Sequence, residues 1–196
     1  VAGILGGFGA LVLVTSVLGA RQTSISPREQ RVFRAVNGLP DGLYWPFWLP
    51  MQLGNLVVGT VVGLAVAWAT KDAGLALAVC SAVVLKLLSE RVLRRWLARF
   101  LEVRQRPGTS EPGARLRGDD VPTSGPSFPS GHVIMVAAVG TVVASGLSLG
   151  LVWAPLVVCV VVAIGRVYVG AHNPLDVTAG LGMGLLVGAL LSIPLH

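Results

Sequence analysis

Charge is scarce in this sequence. Only 12% of its 196 residues are Asp, Glu, Lys or Arg, while 54% are hydrophobic. A compact soluble chain of this length must still cover most of its surface with polar groups, so an ordinary soluble domain is excluded. The same composition excludes a disordered or a collagen-like chain. Cysteine is nearly absent. Cys80 and Cys159 both lie inside apolar runs, outside any paired motif, and neither a disulfide framework nor a zinc site is legible. Lysine is rare as well. The cations are almost all Arg, the net charge is +6, and the mean hydropathy is +0.77. In a soluble protein that excess would suggest nucleic acid. Here the arginines sit between apolar runs, which points to loops held at a membrane surface and to no nucleic-acid partner.

What the chain does have is apolar length. Six stretches approach spanning length: Val1–Ala20, Leu53–Thr70, Ala73–Ser89, His132–Leu149, Leu151–Tyr168 and Val177–Leu195. The first lacks a basic leader and is too long for the apolar core of a signal peptide, so it reads as a span. The expected fold is all-α: a polytopic membrane protein, one membrane domain over residues 1–196, with six transmembrane helices, an interfacial helix and a motif-bearing loop. Gly, Ala and Ser within the spans suit close helix approach in lipid.

The connections carry the polar residues. Arg21–Gln52 holds Tyr44, Trp45, Phe47 and Trp48, which favour the headgroup level, and Pro27–Val36 reads as a short helix with Pro at its start. Lys71-Asp72 and Gly150 mark tight turns. The third stretch continues as an amphipathic helix from Glu90 to Leu101, with Arg91, Arg94, Arg95 and Arg99 on one face, until Pro107-Gly108 ends it. Lys86 has no obvious partner and is expected to snorkel along its span. Gly108–Phe128 lacks periodicity and reads as a long loop. Six spans put both termini and the turns at Lys71 and Gly150 on one side. Arg21–Gln52, Glu90–Gly131 and Gly165–Asp176 fall together on the other.

Three constellations lie in those connections. In Pro129-Ser130-Gly131-His132, Ser130 is a natural N-cap, the helix start offers free N–H groups, and Gly131 lets an anion approach the backbone. His132 is placed to give or take a proton. Alone, the tetrapeptide is equally a capped helix end with an interfacial His. In Arg166-x5-His172-x3-Asp176, Asn173 reads as an N-cap, Pro174 as the first helical residue and Asp176 as the third. Asp176 can serve the helix dipole, or fold back to one nitrogen of His172 and leave the other as a nucleophile. In Arg99-x6-Arg106-Pro107, two guanidiniums share a face if the helix persists. Together these supply a nucleophile, a proton donor and an oxyanion clamp of Arg side chains. No carboxylate cluster suits magnesium and no thiolate or His pair suits zinc, so the chemistry reads as phosphoryl transfer without a metal or other cofactor.

These segments resemble the three signature motifs of the type 2 phosphatidic acid phosphatase superfamily: Lys-x6-Arg-Pro, Pro-Ser-Gly-His and Ser-Arg-x5-His-x3-Asp. The second matches in full. The first has Arg99 in place of Lys, and the third has Gly165 in place of Ser. The resemblance implies a phosphatase in which His172 attacks phosphorus, Asp176 supports its imidazole, and His132 protonates the leaving oxygen and then activates water. Arg99, Arg106, Arg166, Ser130 and Gly131 would hold the phosphoryl oxygens. It also implies a lipid phosphate or isoprenoid (di)phosphate as substrate. Haloperoxidases with the same site are soluble, and the apolar spans argue against that chemistry. The competing reading is a non-enzymatic headgroup binder or lipid transporter, which needs cations but not two His and a supporting Asp. The expected location is the cell membrane, crossed several times. The motif side holds 13 of the 15 Lys and Arg residues, ten even without Arg99, Arg106 and Arg166. That count favours a cytoplasmic site, whereas many bacterial members of the family are expected to face outward.

Overall fold

The computed structural model describes residues 2–21, 25–100, 104–147 and 151–193, with side chains for all of these except residues 97–100. The chain is helical: α1 (Ala2–Gly19), α2 (Pro27–Asn37), α3 (Tyr44–Met51), α4 (Leu56–Ala69), α5 (Ala73–Phe100), α6 (Pro107–Ser110), α7 (Gly131–Ser145), α8 (Trp153–Tyr168) and α9 (Pro174–Ser192). Among the described residues there is no strand, only an isolated bridge between Gln105 and Pro126.

Each of the six apolar stretches forms a helix, but the six are unequal. Three are long and apolar enough to cross a bilayer: α1, the Ala73–Trp96 part of α5, and α9. The α4 helix joins the Asp41–Gly54 segment at a 75° bend, and α7 and α8 are shorter apolar helices. The 14 residues of α4 rise about 21 Å, short of a hydrocarbon core of about 30 Å. The cause is local. Asn55 caps α4 by accepting from the N–H groups of Val57 and Val58, so the helix starts three residues later than the apolar run. The turn at Lys71 is as expected: Lys71 takes a positive φ of 55°, Asp72 N–H closes on Ala67 O, and Asp72 Oδ1 caps Leu75 N. The turn expected at Gly150 lies outside the described residues.

The α7 helix is the centre. Ten of its residues, from Val133 to Ala144, are buried, as befits a helix that is apolar all round. Close approach of α9 to α7 needs glycine. A Cβ on Gly184 would sit 2.6 Å from Ala137 Cβ, and one on Gly188 2.5 Å from Thr141 Cβ. On its other face, Gly182 meets Gly9 of α1. The outer surface is apolar: Ile4, Trp68 and Leu77 are each at least 70% exposed, which only a lipid environment tolerates.

The three polar connections are knitted to one another. Asn37 donates to the carbonyls of Arg115 and Tyr168. Arg117 donates to those of Asn37, Tyr168 and Leu39, and its guanidinium lies 4.3 Å from the centre of the Tyr168 ring. The segment that bears the motifs is therefore tied down at one end of the bundle.

Candidate active site

The third constellation is a helix end and a helix start placed back to back. The α8 helix closes with Gly170 N–H on Val167 O and Ala171 N–H on Arg166 O, the paired bonds of a Schellman turn. Gly170 has a φ of +79°, and a Cβ there would lie 2.6 Å from Arg115 O, so glycine is required. That turn sets the interval from Arg166 to His172. Asn173 then begins α9, and Asp176 Oδ2 accepts from Asn173 N–H at 2.8 Å. Both spacings of the motif are thus capping geometry.

The second constellation is docked onto the third. Ser130 is the N-cap residue of α7, and its N–H donates to Asp176 O at 3.0 Å. Its side chain makes no capping bond. Ser130 Oγ is fully buried with no hydrogen-bond partner among the described residues, as are Arg166 Nε and His172 Nδ1. Such groups are expensive to leave unpaired, and here they gather at one place. Arg106 joins them from the long loop through Nη1, which donates to Ala171 O at 2.9 Å. The charged groups that act on His132 are Arg166, His172, Lys86 and Arg106, so both imidazoles share one cationic cluster.

The electrostatics follow from burial. His172 is 3% exposed, and desolvation holds it below the ordinary histidine value of 6.5, with Arg166 and Arg106 adding to the effect and Asp176 opposing it. Desolvation also lowers Arg106 from its ordinary value, aided by Arg94. His172 Nδ1 and Asp176 Oδ2 are 3.8 Å apart, too far for a hydrogen bond and an ion pair only when the imidazole is protonated. Catalytic hydrogen bonds are often long before substrate binds. Among the described residues, no group of three His, Cys, Asp or Glu side chains is placed to hold a metal.

Two details of the sequence reading change. The helix bearing Arg99 does not continue to Arg106. Among the described residues α5 runs to Phe100, Arg104 to Arg106 are non-helical, and Pro107 opens a separate one-turn helix. Arg106 is placed instead by its N–H on Gly125 O and by Ser127 on Arg104 O. The side chain of Arg99 lies outside the described residues. Lys86 does not snorkel alone: it pairs with Glu90 at 2.7 Å, and Glu90 also pairs with Arg94 at 2.8 Å. The Glu90 carboxylate oxygens lie 3.0 Å from where a Cβ of Gly131 would stand, so this acid occupies the space that the glycine opens.

A model of the PAP2 superfamily matches residues 73–193, more than half of the chain. The protein belongs to the PAP2 superfamily. Two solved structures share its fold. LpxE from Aquifex aeolicus aligns with a TM-score of 0.66 and 23% identity over 84% of this chain and 93% of that one. A PAP2 type phosphatidylglycerolphosphate phosphatase from Bacillus subtilis aligns with a TM-score of 0.65 and 24% identity over 97% of this chain and 93% of that one. A search of curated proteins finds no significant match.

Sequence reasoning about this PAP2 protein missed two buried residues beside Asp176. Arg104 donates through Nε to Asp176 Oδ1 at 3.1 Å and through Nη2 to Glu29 Oε1 at 2.6 Å. The available signal for Glu29 was Ser26-x-x-Glu29 at a helix start, which reads as a capping box. Ser26 Oγ does accept from Glu29 N–H, but the Glu29 carboxylate turns away to Arg104 and to Leu175 N–H.

Proposed function

We propose that this PAP2 protein is a lipid phosphate phosphatase working at the bilayer edge through a phosphohistidine. The observation that carries the reading is the shared cluster of His132, His172, Arg106 and Arg166, where buried polar atoms of Ser130, Arg166 and His172 converge without partners. Neutral His172 attacks phosphorus in line with the leaving alkoxide. His132 gives that oxygen its proton, and the lipid alcohol departs. His132 then takes a proton from water as the water attacks the phosphoryl group, releasing phosphate and restoring His172. Asp176 stabilises the imidazolium side of His172. Arg166, Arg106, Arg99, Ser130 and the backbone at Gly131 hold the phosphoryl oxygens, so that Arg side chains carry the charge a metal would otherwise balance.

An apolar groove supports a lipid substrate. About 230 Å³ in volume, it is lined by Leu53, Gly59 and Gly63, by Val136 and Gly140 of α7, by Leu147 beyond its end, and by Val158 of α8. Leu53 adjoins Gly54, which touches His132, so an acyl or isoprenoid tail in this groove would leave its phosphate at the site. The whole chain acts as one membrane domain.

The test uses purified protein in detergent with dioctanoyl phosphatidic acid. Phosphate release is expected in EDTA, with inhibition by vanadate, and His172→Ala is expected to abolish turnover while leaving the fold intact. Full turnover in His172→Ala would overturn the nucleophile assignment.

A further inference from the structure

We propose that Arg104 and Glu29 are positioning residues for this reaction: they fix the orientation of the Asp176 carboxylate behind His172. The proposal rests on the reading of His172 as the nucleophile.

The geometry sets these residues apart from a helix cap. A carboxylate that merely capped α9 would need only the Asn173 N–H. Asp176 instead divides its oxygens. Oδ2 takes that N–H and faces His172, while Oδ1 takes Arg104 Nε. Arg104 then reaches Glu29 through Nη2 at 2.6 Å, and Glu29 Oε1 also accepts Leu175 N–H at 3.0 Å. The side chains of Glu29, Arg104 and Asp176 are 4%, 3% and 0% exposed. A planar guanidinium held at both ends cannot rotate, and neither can the carboxylate bonded to it.

Charge explains why two acids share one base. Arg104 alone on Asp176 would draw charge from the carboxylate and weaken its hold on the His172 imidazolium. Glu29 on the other end of the same guanidinium offsets that. Burial raises the Glu29 pKa, opposed by Arg104 and the Leu175 N–H; with Glu29 ionised, the Glu29–Arg104–Asp176 group carries one net negative charge, as a lone carboxylate would, but with its direction fixed. The other charged groups facing His172 are Arg166, Arg106 and His132; those facing Asp176 include Arg106 as well. Asp120 acts on Arg166, and Glu90 pairs with Lys86 and Arg94, whereas Glu29 is the acid that meets the Arg104 guanidinium beside Asp176.

The experiment measures kcat, KM and the pH profile of kcat/KM on the full-length protein with dioctanoyl phosphatidic acid. For Glu29→Gln, the uncompensated Arg104 should weaken the Asp176–His172 interaction and lower the His172 pKa. The acid limb should move down by about half to one pH unit and kcat should fall roughly tenfold, with KM within about twofold. A profile and kcat equal to the wild type, with only the melting temperature lowered, would reduce the pair to a structural role and overturn the proposal. Should Glu29→Gln fail to fold, Arg104→Lys carries the test. One ammonium cannot serve both carboxylates in the fork geometry, so a drop in kcat of about fivefold or more at similar KM is expected. Unchanged kcat in that variant would also overturn the proposal. His172→Ala separates the two readings: if it retains turnover, the nucleophile assignment fails. If it is inactive while Glu29→Gln and Arg104→Lys match the wild type, only the positioning role fails.

Discussion

Gly54 and His132 meet so closely that a Cβ on Gly54 would come within 2.9 Å of both the Cβ and the carbonyl oxygen of His132. Gly54 belongs to the turn that precedes α4, so the position of His132, the proposed leaving-group acid, is set by a residue from a different element. Gly54→Ala should push the first turn of α7 aside. A misplacement well under 1 Å at a proton donor is enough to lower kcat, here by about tenfold, with little change in KM. Steady-state kinetics on dioctanoyl phosphatidic acid check this. Equal kcat in variant and wild type would mean that the position of His132 does not limit the reaction.

The packing of α7 on α9 predicts a stability effect with its own control. Gly184→Leu would place atoms 2.6 Å from Ala137 Cβ and Ile134 O, where rigid backbone cannot yield. Overpacking of this kind costs about 1–3 kcal/mol, and a clear fall in thermal unfolding temperature in detergent is expected. Gly7→Leu on α1 is the control, because nothing lies within 4 Å of a Cβ there. A variant pair with equal melting temperatures would contradict the packing of α9.

What was legible in the sequence was whatever depends on local spacing. The six apolar helices, the cap at Asn173 and the order of the motifs all follow from residue types at short range. Arg104 was hidden because it lies inside the Arg99-x6-Arg106 spacing as an unspecified residue, and because its partners come from α2 and α9. Glu29 was hidden by its resemblance to a capping acid. The Lys86–Glu90–Arg94 pairs follow a four-residue spacing that the sequence carries, and they replace the snorkelling expected of Lys86. The shared face of Arg99 and Arg106 required a helix continuous to Arg106, and Arg104–Arg106 are non-helical.

The buried state of His172 fixes the sign of the pH dependence. Its pKa lies below 6.5, so the neutral imidazole persists below that pH, and with His172 as the proposed nucleophile the acid limb of kcat/KM should fall on the acid side of 6.5. The same depression affects stability. The unfolded chain binds a proton at 6.5 that the folded chain refuses, so His172 contributes full stability above that pH and loses it as pH falls through the folded value. Asp176→Asn removes the charge that opposes the depression. Its acid limb should lie lower still, and kcat should fall by roughly 10²-fold. A limb that moves upward in Asp176→Asn would reverse the assigned interaction.

The knitting of the three connections makes a prediction about topology. Arg104, Arg106, Arg117 and Arg166 are buried or bonded to groups within the protein, so they are not free to meet phospholipid, and the positive-inside count weighs less than the sequence suggests. A chain that crosses the membrane as expected from its apolar stretches would put Leu43 and Gly113 on one side and Lys71 on the other. With Cys80, the exposed native thiol, changed to Ser, single cysteines at those three positions should report this in intact cells. An impermeant thiol reagent should label Leu43→Cys and Gly113→Cys alike, and Lys71→Cys oppositely. Which pair reacts identifies the compartment of the site. Labelling of Gly113→Cys and Lys71→Cys from the same side would break the convergence of the connections, because a helix bundle cannot present its opposite ends to one compartment.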